Sequence, residues 1–152
     1  MVARFNLSGT ARMSTAALRE FGRLHEILLK PIIESAIDEK MTKTPTQYDK
    51  FDFESENFWI EVKSRAPPYT SESFSDWYLP VCKGLRAEQE VKRTLFFYYW
   101  AKDEKLFYIE YDRKVFDGFQ TEVPYKHPDN QLHYKIPKTE WTEIEWEAKV
   151  EE

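Results

Sequence analysis

The chain has 152 residues, 41% of them hydrophobic and 16% aromatic, which is enough apolar material for one folded domain with its own core. No apolar run approaches the about 18 residues of a membrane span, and the N-terminus lacks the apolar core of a secretory signal, so no membrane partner is expected. The lone Cys82 excludes an internal disulfide and fits a reducing, intracellular setting such as cytoplasm or nucleus.

The net charge of −5 is unevenly placed. Residues 139 to 152 hold six glutamates against one lysine, so the acidity belongs to a C-terminal segment and the rest of the chain is neutral. Arg4, Arg12, Arg19, Arg23 and Lys30 outnumber Glu20 and Glu26 near the N-terminus. A neutral body with one basic end is compatible with phosphate binding without requiring it.

In chain order, Ser14 is a candidate N-cap for a helix over residues 15–30, with Ala17, Leu18, Phe21, Leu24 and Leu28 at helical spacing. Pro31 ends or kinks it, and residues 32–40 add a turn or two. A connector over 42–46 leads into a β-hairpin over about 47–65. Residues 66–80, punctuated by Pro and Ser, read as a long loop. A second helix is expected over 85–93. Two strands of a central sheet follow in TLFFYYWAKDEKLFYIEYD, whose aromatics occupy both faces and so imply burial on both sides. Short strands are expected at 131–136 and 141–146, the latter an edge strand protected by charge. The order predicts a single domain over 1–152, of α/β or α+β class, with a mixed central β-sheet flanked by helices and an acidic segment from about 139.

The hairpin FDFESENFWIEVKSR carries the chemistry. Alternation places Phe51, Phe53, Phe58, Ile60 and Val62 on one face and Asp52, Trp59, Glu61 and Lys63 on the other. A two-residue turn at Glu56-Asn57 sets Asp52 opposite Glu61, whereas a turn one residue earlier makes them diagonal. Asp49 has the wrong parity unless a bulge intervenes. Facing carboxylates repel, and a divalent cation between them removes that cost. Hard oxygen donors suit Mg²⁺ or Mn²⁺, with positions left for water and phosphate. Lys63 can then orient the attacking water or stabilise charge developing on a phosphate. The competing reading is an ordinary solvated strand face.

Asp52 followed by Glu61-Val62-Lys63 resembles the D…(D/E)-x-K signature of the PD-(D/E)XK nucleases, the superfamily of restriction endonucleases and Holliday-junction resolvases. The likeness covers residues 14 to about 111 as an order of elements. It departs from the pattern in having Phe51 rather than proline before the aspartate. The gap between Asp52 and Glu61 is also short, which keeps Asp49 as the alternative aspartate. The resemblance implies a restriction-endonuclease-like core, with Asp52 and Glu61 as metal ligands and Lys63 as their catalytic partner. Many members add a glutamate from the first helix. Here that is Glu26 on a face with Arg19, Arg23 and Lys30, where surface ion pairs with Arg23 or Lys30 are the alternative. Gln89 and Lys83 are candidates for the polar residue some relatives carry on the following helix, Arg65 for a phosphate contact, and Arg19 and Arg23 for substrate binding from the first helix. The implied activity is Mg²⁺- or Mn²⁺-dependent hydrolysis of DNA in processing, restriction, repair or recombination, as in small viral or phage enzymes. RNA endonuclease action on the same fold and a non-catalytic binding or assembly module are the rival readings. A homodimer fits the cutting of two strands.

Other sites find no support. His25, His127, His133 and Cys82 lack zinc spacing, and no phosphate-cradling glycine motif occurs. His25 is expected as a hydrogen-bonded core residue.

Overall fold

The computed structural model describes residues 14–45, 51–124 and 131–146. Asp49, Arg4, Arg12 and His127 lie outside them. Helix α1, Thr15–Ile37, starts where expected, with the Ser14 side chain accepting a hydrogen bond from the Ala17 N–H at 3.1 Å. It runs through Pro31 rather than ending there and closes at Asp38, which adopts the left-handed conformation (φ 57°) and donates its N–H to the Glu34 carbonyl.

Strands β1 (Thr42–Lys43), β2 (Phe53–Glu54) and β3 (Phe58–Arg65) follow. The expected loop after β3 ends in a strand, β4 (Asp76–Pro80), which runs directly into α2 (Val81–Glu88). That helix begins four residues before its expected start and ends before 93, because Trp77 and Leu79 alternate inward as a strand and Pro80 is followed at once by helical turns. The two aromatic strands are β5 (Arg93–Trp100) and β6 (Lys105–Glu110), and the short elements α3 (Arg113–Asp117) and β7 (Gln120–Glu122) had no expectation. Strands β8 (His133–Pro137) and β9 (Thr142–Ile144) lie close to their expected places.

The strands form a six-stranded sheet in the order β1-β2-β3-β5-β6-β9 and a three-stranded sheet in the order β4-β8-β7. Only β3 and β5 run parallel, and the other pairs are antiparallel. The result is a mixed α+β fold with a mostly antiparallel central sheet flanked by helices. The crossover from β3 to β5 travels through β4 and α2. On one face of the large sheet, Leu29 and Ile33 of α1 pack on Phe53, Ile60, Leu95, Phe97 and Leu106. On the other, Trp77, Leu79, Tyr134 and Ile136 of the small sheet cover Phe96, Tyr98, Trp100 and Phe107. Burial of β5 on both sides follows from its two-faced aromatic run, and β9 is an edge strand as expected. Among the described residues no helix is long and apolar enough to cross a membrane.

Two sequence expectations about faces need correction. Phe21 is buried as expected, but Leu18 and Leu28 are exposed and α1 buries Leu29 and Ile33 instead, with His25 half-buried and its Nδ1 2.8 Å from the Phe21 carbonyl oxygen. The apolar stripe is rotated because Pro31 lies inside the helix and its second half, Ile32 and Ile33, sets the packing face. Phe51 packs beside Trp59 and Phe96, on the face opposite Phe53. Strict alternation fails there because the β2 ladder ends at Phe53 and the chain bends at Phe51 and Asp52.

Gly84 lets α2 lie directly on β8. A Cβ at that position would collide with the Tyr134 ring and hydroxyl. Gly84→Ala is therefore expected to destabilise the fold by about 1–3 kcal/mol although alanine favours helices, with urea denaturation as the measurement. An unchanged or raised midpoint would show that α2 does not need this approach.

Candidate functional site

The hairpin settles in the register with Glu56-Asn57 at its turn: Phe53 pairs with Ile60 and Glu54 with Trp59. Continued by one residue, that register sets Asp52 beside Glu61. The turn is tied to the end of α1 by Glu39, whose carboxylate accepts from the Asn57 backbone N–H at 2.9 Å and side-chain amide at 2.8 Å. Glu34 accepts from the Met41 N–H at 2.7 Å, so α1, β1 and the hairpin form one registered unit.

Because β2 is only two residues long, β3 beyond Ile60 has β5 on one side and no described strand on the other. Asp52 occupies the start of that gap. Its carbonyl accepts from the Thr44 N–H at 3.0 Å, and its Oδ2 accepts from the Val62 N–H at 2.8 Å, in the place of a ladder carbonyl. The site thus sits at the open edge of the sheet, along the C-terminal half of a parallel strand, where α/β sheets commonly place ligands. Glu26 reaches it from α1, while Glu61, Lys63 and Arg65 project from β3 on the face of α2 and the small sheet.

The three carboxylates feel one another. Burial and the Asp52 charge push Glu26 up to about 7, and a hydrogen bond with Asp52 favours its protonated form. Burial and Glu61 push Asp52 up to about 6 against the opposing pull of the Val62 N–H. Burial raises Glu61 as well, partly countered by Lys83. Two ammonium groups stand among the acids. Lys43 Nζ is 2.7 Å from Glu26 Oε2 and 3.9 Å from Asp52 Oδ1, and Lys83 Nζ is 3.0 Å from Glu61 Oε2. Glu61 Oε1 is buried and accepts no hydrogen bond among the described residues. A buried carboxylate oxygen in that condition carries an uncompensated desolvation cost that a cation would relieve. The donor set, three carboxylates of hard oxygen, fits Mg²⁺ or Mn²⁺. No three His, Cys, Asp or Glu side chains among the described residues are arranged to hold an ion.

Lys63 is pushed down to about 8 by burial and by Arg65, with Glu61 opposing. Its ammonium lies 6.0 Å from the Tyr98 ring centroid. Arg65 lies over Tyr69 and Trp100 at the strand end.

Of the residues singled out from the sequence, Glu26, Asp52, Glu61, Lys63 and Lys83 come together, with Arg65 at the margin. Glu26 makes neither of the surface pairs expected as its alternative: Arg23 bonds Glu20 and Lys30 pairs with Glu34. Arg19 and Arg23 are exposed, and Arg23 is engaged by Glu20. Gln89 is exposed at the α2 C-cap, because the helix ends before it. Lys43 was missed. It stands in a two-residue strand within a stretch that reads as a connector, and only pairing with β2 brings it to the acids.

No protein-family model and no curated protein sequence matches the chain. Among solved structures it is similar to D212, a nuclease from a fusselovirus, with a TM-score of 0.50 and 16% identity over 87% of this chain and 89% of that one. At that identity the likeness establishes a shared fold.

The raised carboxyls have a consequence for stability. Glu26 and Asp52 titrate above their unfolded values, so their protonated forms favour the fold. This contribution is complete below about pH 4 and is lost as pH rises through about 6 to 7. In metal-free buffer, Glu26→Gln should melt close to wild type at pH 5 and about 3 °C higher at pH 8, on the order of 1 kcal/mol. Parallel melting curves for the two proteins across that range would contradict the shared acidic cluster.

Proposed function

We propose that this chain is a metal-dependent nuclease of the PD-(D/E)XK type that hydrolyses phosphodiester bonds in DNA. The observation that carries this reading is the convergence of Glu26, Asp52 and Glu61 from three separate segments, with Lys63 two residues beyond Glu61 on the same face. The fold shared with D212, itself described as a nuclease, supports it.

In this reading Glu26, Asp52 and Glu61 hold Mg²⁺ or Mn²⁺. An ion held there would supply Lewis-acid chemistry, polarising the phosphate and making water a stronger nucleophile near neutral pH. Asp52 is held by the Val62 N–H through one oxygen, which leaves Oδ1 directed toward Glu26 and Lys43. Glu61 offers its unpartnered Oε1. Lys63, half-buried beside Arg65, orients the attacking water and the phosphate by hydrogen bonding. With its affinity for a proton lowered to about 8, it can also take the proton that water loses. Arg65 lies further along the strand end, where the next phosphate of a chain would be met, and guanidinium is suited to that contact. Lys83, paired with Glu61 from α2, keeps that carboxylate aimed along the strand. Cutting both strands of a duplex with one site per chain takes two chains, so a homodimer accompanies this reading for duplex DNA.

The test is cleavage of plasmid and linear DNA with Mg²⁺ or Mn²⁺, beside single-stranded RNA. Wild type should cut DNA, and Lys63→Ala should lose about 10²-fold or more in rate while keeping the wild-type melting temperature within a few degrees. Equal rates for the two proteins would remove Lys63 from the chemistry. Cleavage of RNA alone would move the substrate assignment.

A further inference from the structure

We infer that Lys43 is a resident counter-ion of the acidic cluster, which a divalent cation must displace in order to bind, and that Lys43 thereby sets the metal affinity of the site. The inference rests on the metal-dependent reading above. Its basis is geometric. The Lys43 ammonium lies between two of the three acids, 2.7 Å from Glu26 Oε2 and 3.9 Å from Asp52 Oδ1. An ion bound by both carboxylates would occupy that same space, and two cations cannot share it. Among the described residues no three acids are arranged as a ready ion site.

The position of Lys43 suits a group that leaves. Its side chain is 53% exposed, on a two-residue strand at the edge of the sheet, with the ammonium 5.1 Å from the Phe53 ring centroid. A lysine stem has four rotatable carbons, so the ammonium can swing to solvent without moving the backbone. Lys83 differs on each count. It pairs with Glu61 rather than lying between Glu26 and Asp52, its side chain is 28% exposed, and it issues from a helix packed on the small sheet. Lys43 is thus the cation whose departure opens the space between α1 and the hairpin.

The experiment is isothermal titration of the metal-free full chain with Mn²⁺ alone, without nucleic acid. Wild type is compared with Lys43→Met, Lys43→Arg, Lys30→Met and Glu61→Gln. Lys30 supplies the charge control, because it pairs with Glu34 on the same helix, 3.5 Å away and apart from the cluster. Lys43→Met should bind Mn²⁺ more tightly than wild type, on the order of tenfold, while Lys43→Arg and Lys30→Met stay within about twofold of wild type. Binding by Lys43→Met alone, with none by wild type, would equally uphold the inference. Equal affinity in Lys43→Met and wild type, with binding lost in Glu61→Gln, would overturn the counter-ion role and leave the metal site standing. An equal gain in Lys30→Met would reduce the effect to net charge and overturn it as well. If neither wild type nor Lys43→Met binds, both the inference and the metal reading fall.

Discussion

The hydrogen bond from the Val62 N–H to Asp52 Oδ2, 2.8 Å long, replaces a strand with a side chain. A ladder continued past Phe53 would have covered the edge of β3 with a backbone carbonyl. A carboxylate satisfies the same donor and ends the pairing. The cost of leaving a strand edge unpaired is thereby reduced at its first step. One carboxylate oxygen is fixed against the sheet and the other is free to face Glu26 and Lys43. Thr44 holds the Asp52 carbonyl from the other side, so the residue is clamped between β1 and β3. Glu61 follows from the same event, since its neighbourhood is open only because the ladder stopped one residue earlier.

Charge explains what the backbone arrangement alone would not permit. Three partly buried carboxylates within mutual reach would be strongly unfavourable if all were ionised and unaccompanied. The fold meets this in two ways. Glu26 and Asp52 are pushed toward protonation, and ammonium groups come from β1 and α2 to Glu26 and Glu61. The pairs at Lys43 are more exposed than the one at Lys83, so solvent screens them more and they hold less firmly. A cluster balanced in this manner is stable without an ion while still keeping one buried oxygen, Glu61 Oε1, unpaired.

What the sequence made legible was whatever depends on local pattern. Ser14 as a cap, the parity of Glu61 and Lys63 and the two-faced burial of β5 each follow from residues a few positions apart. The hairpin register was narrowed to two choices that share the same faces, and the hold of Glu39 on Asn57 accompanies the one observed. Parity failed at Phe51, one residue after the ladder stops, since alternation holds only while the strand persists. The role of Glu26 lay between two readings on a helical wheel. Its placement beside Asp52 depends on which side of α1 packs on the sheet, a property set by Leu29 and Ile33 further along the helix. Lys43 was not legible at all, because nothing in a two-residue strand distinguishes it before β2 pairs with it. The exposure of Gln89 and of the α1 arginines was no more legible, since helix ends and packing angles rather than composition decide it.

The two sides of the site differ in how firmly they are built. Glu61 and Lys63 stand on a strand paired along its whole length with β5, which is buried on both faces between α1 and the small sheet. The Trp77 ring packs against both Tyr98 and Trp100 from the small sheet, so the β5 residues beside Lys63 and Arg65 have little freedom to shift. Glu26 and Lys43 stand on the outer helix and on the edge strand. A centre of the proposed kind, which would have to keep its reacting groups in place and still admit an ion, gains from this division. The groups that require fixed direction belong on the doubly covered strand, where side-chain positions are over-determined by packing. The groups that must yield belong at the rim, where an ammonium can leave without disturbing a packed layer. The short β2 strand separates the two, and its length of two residues marks where rigid sheet gives way to an adjustable edge.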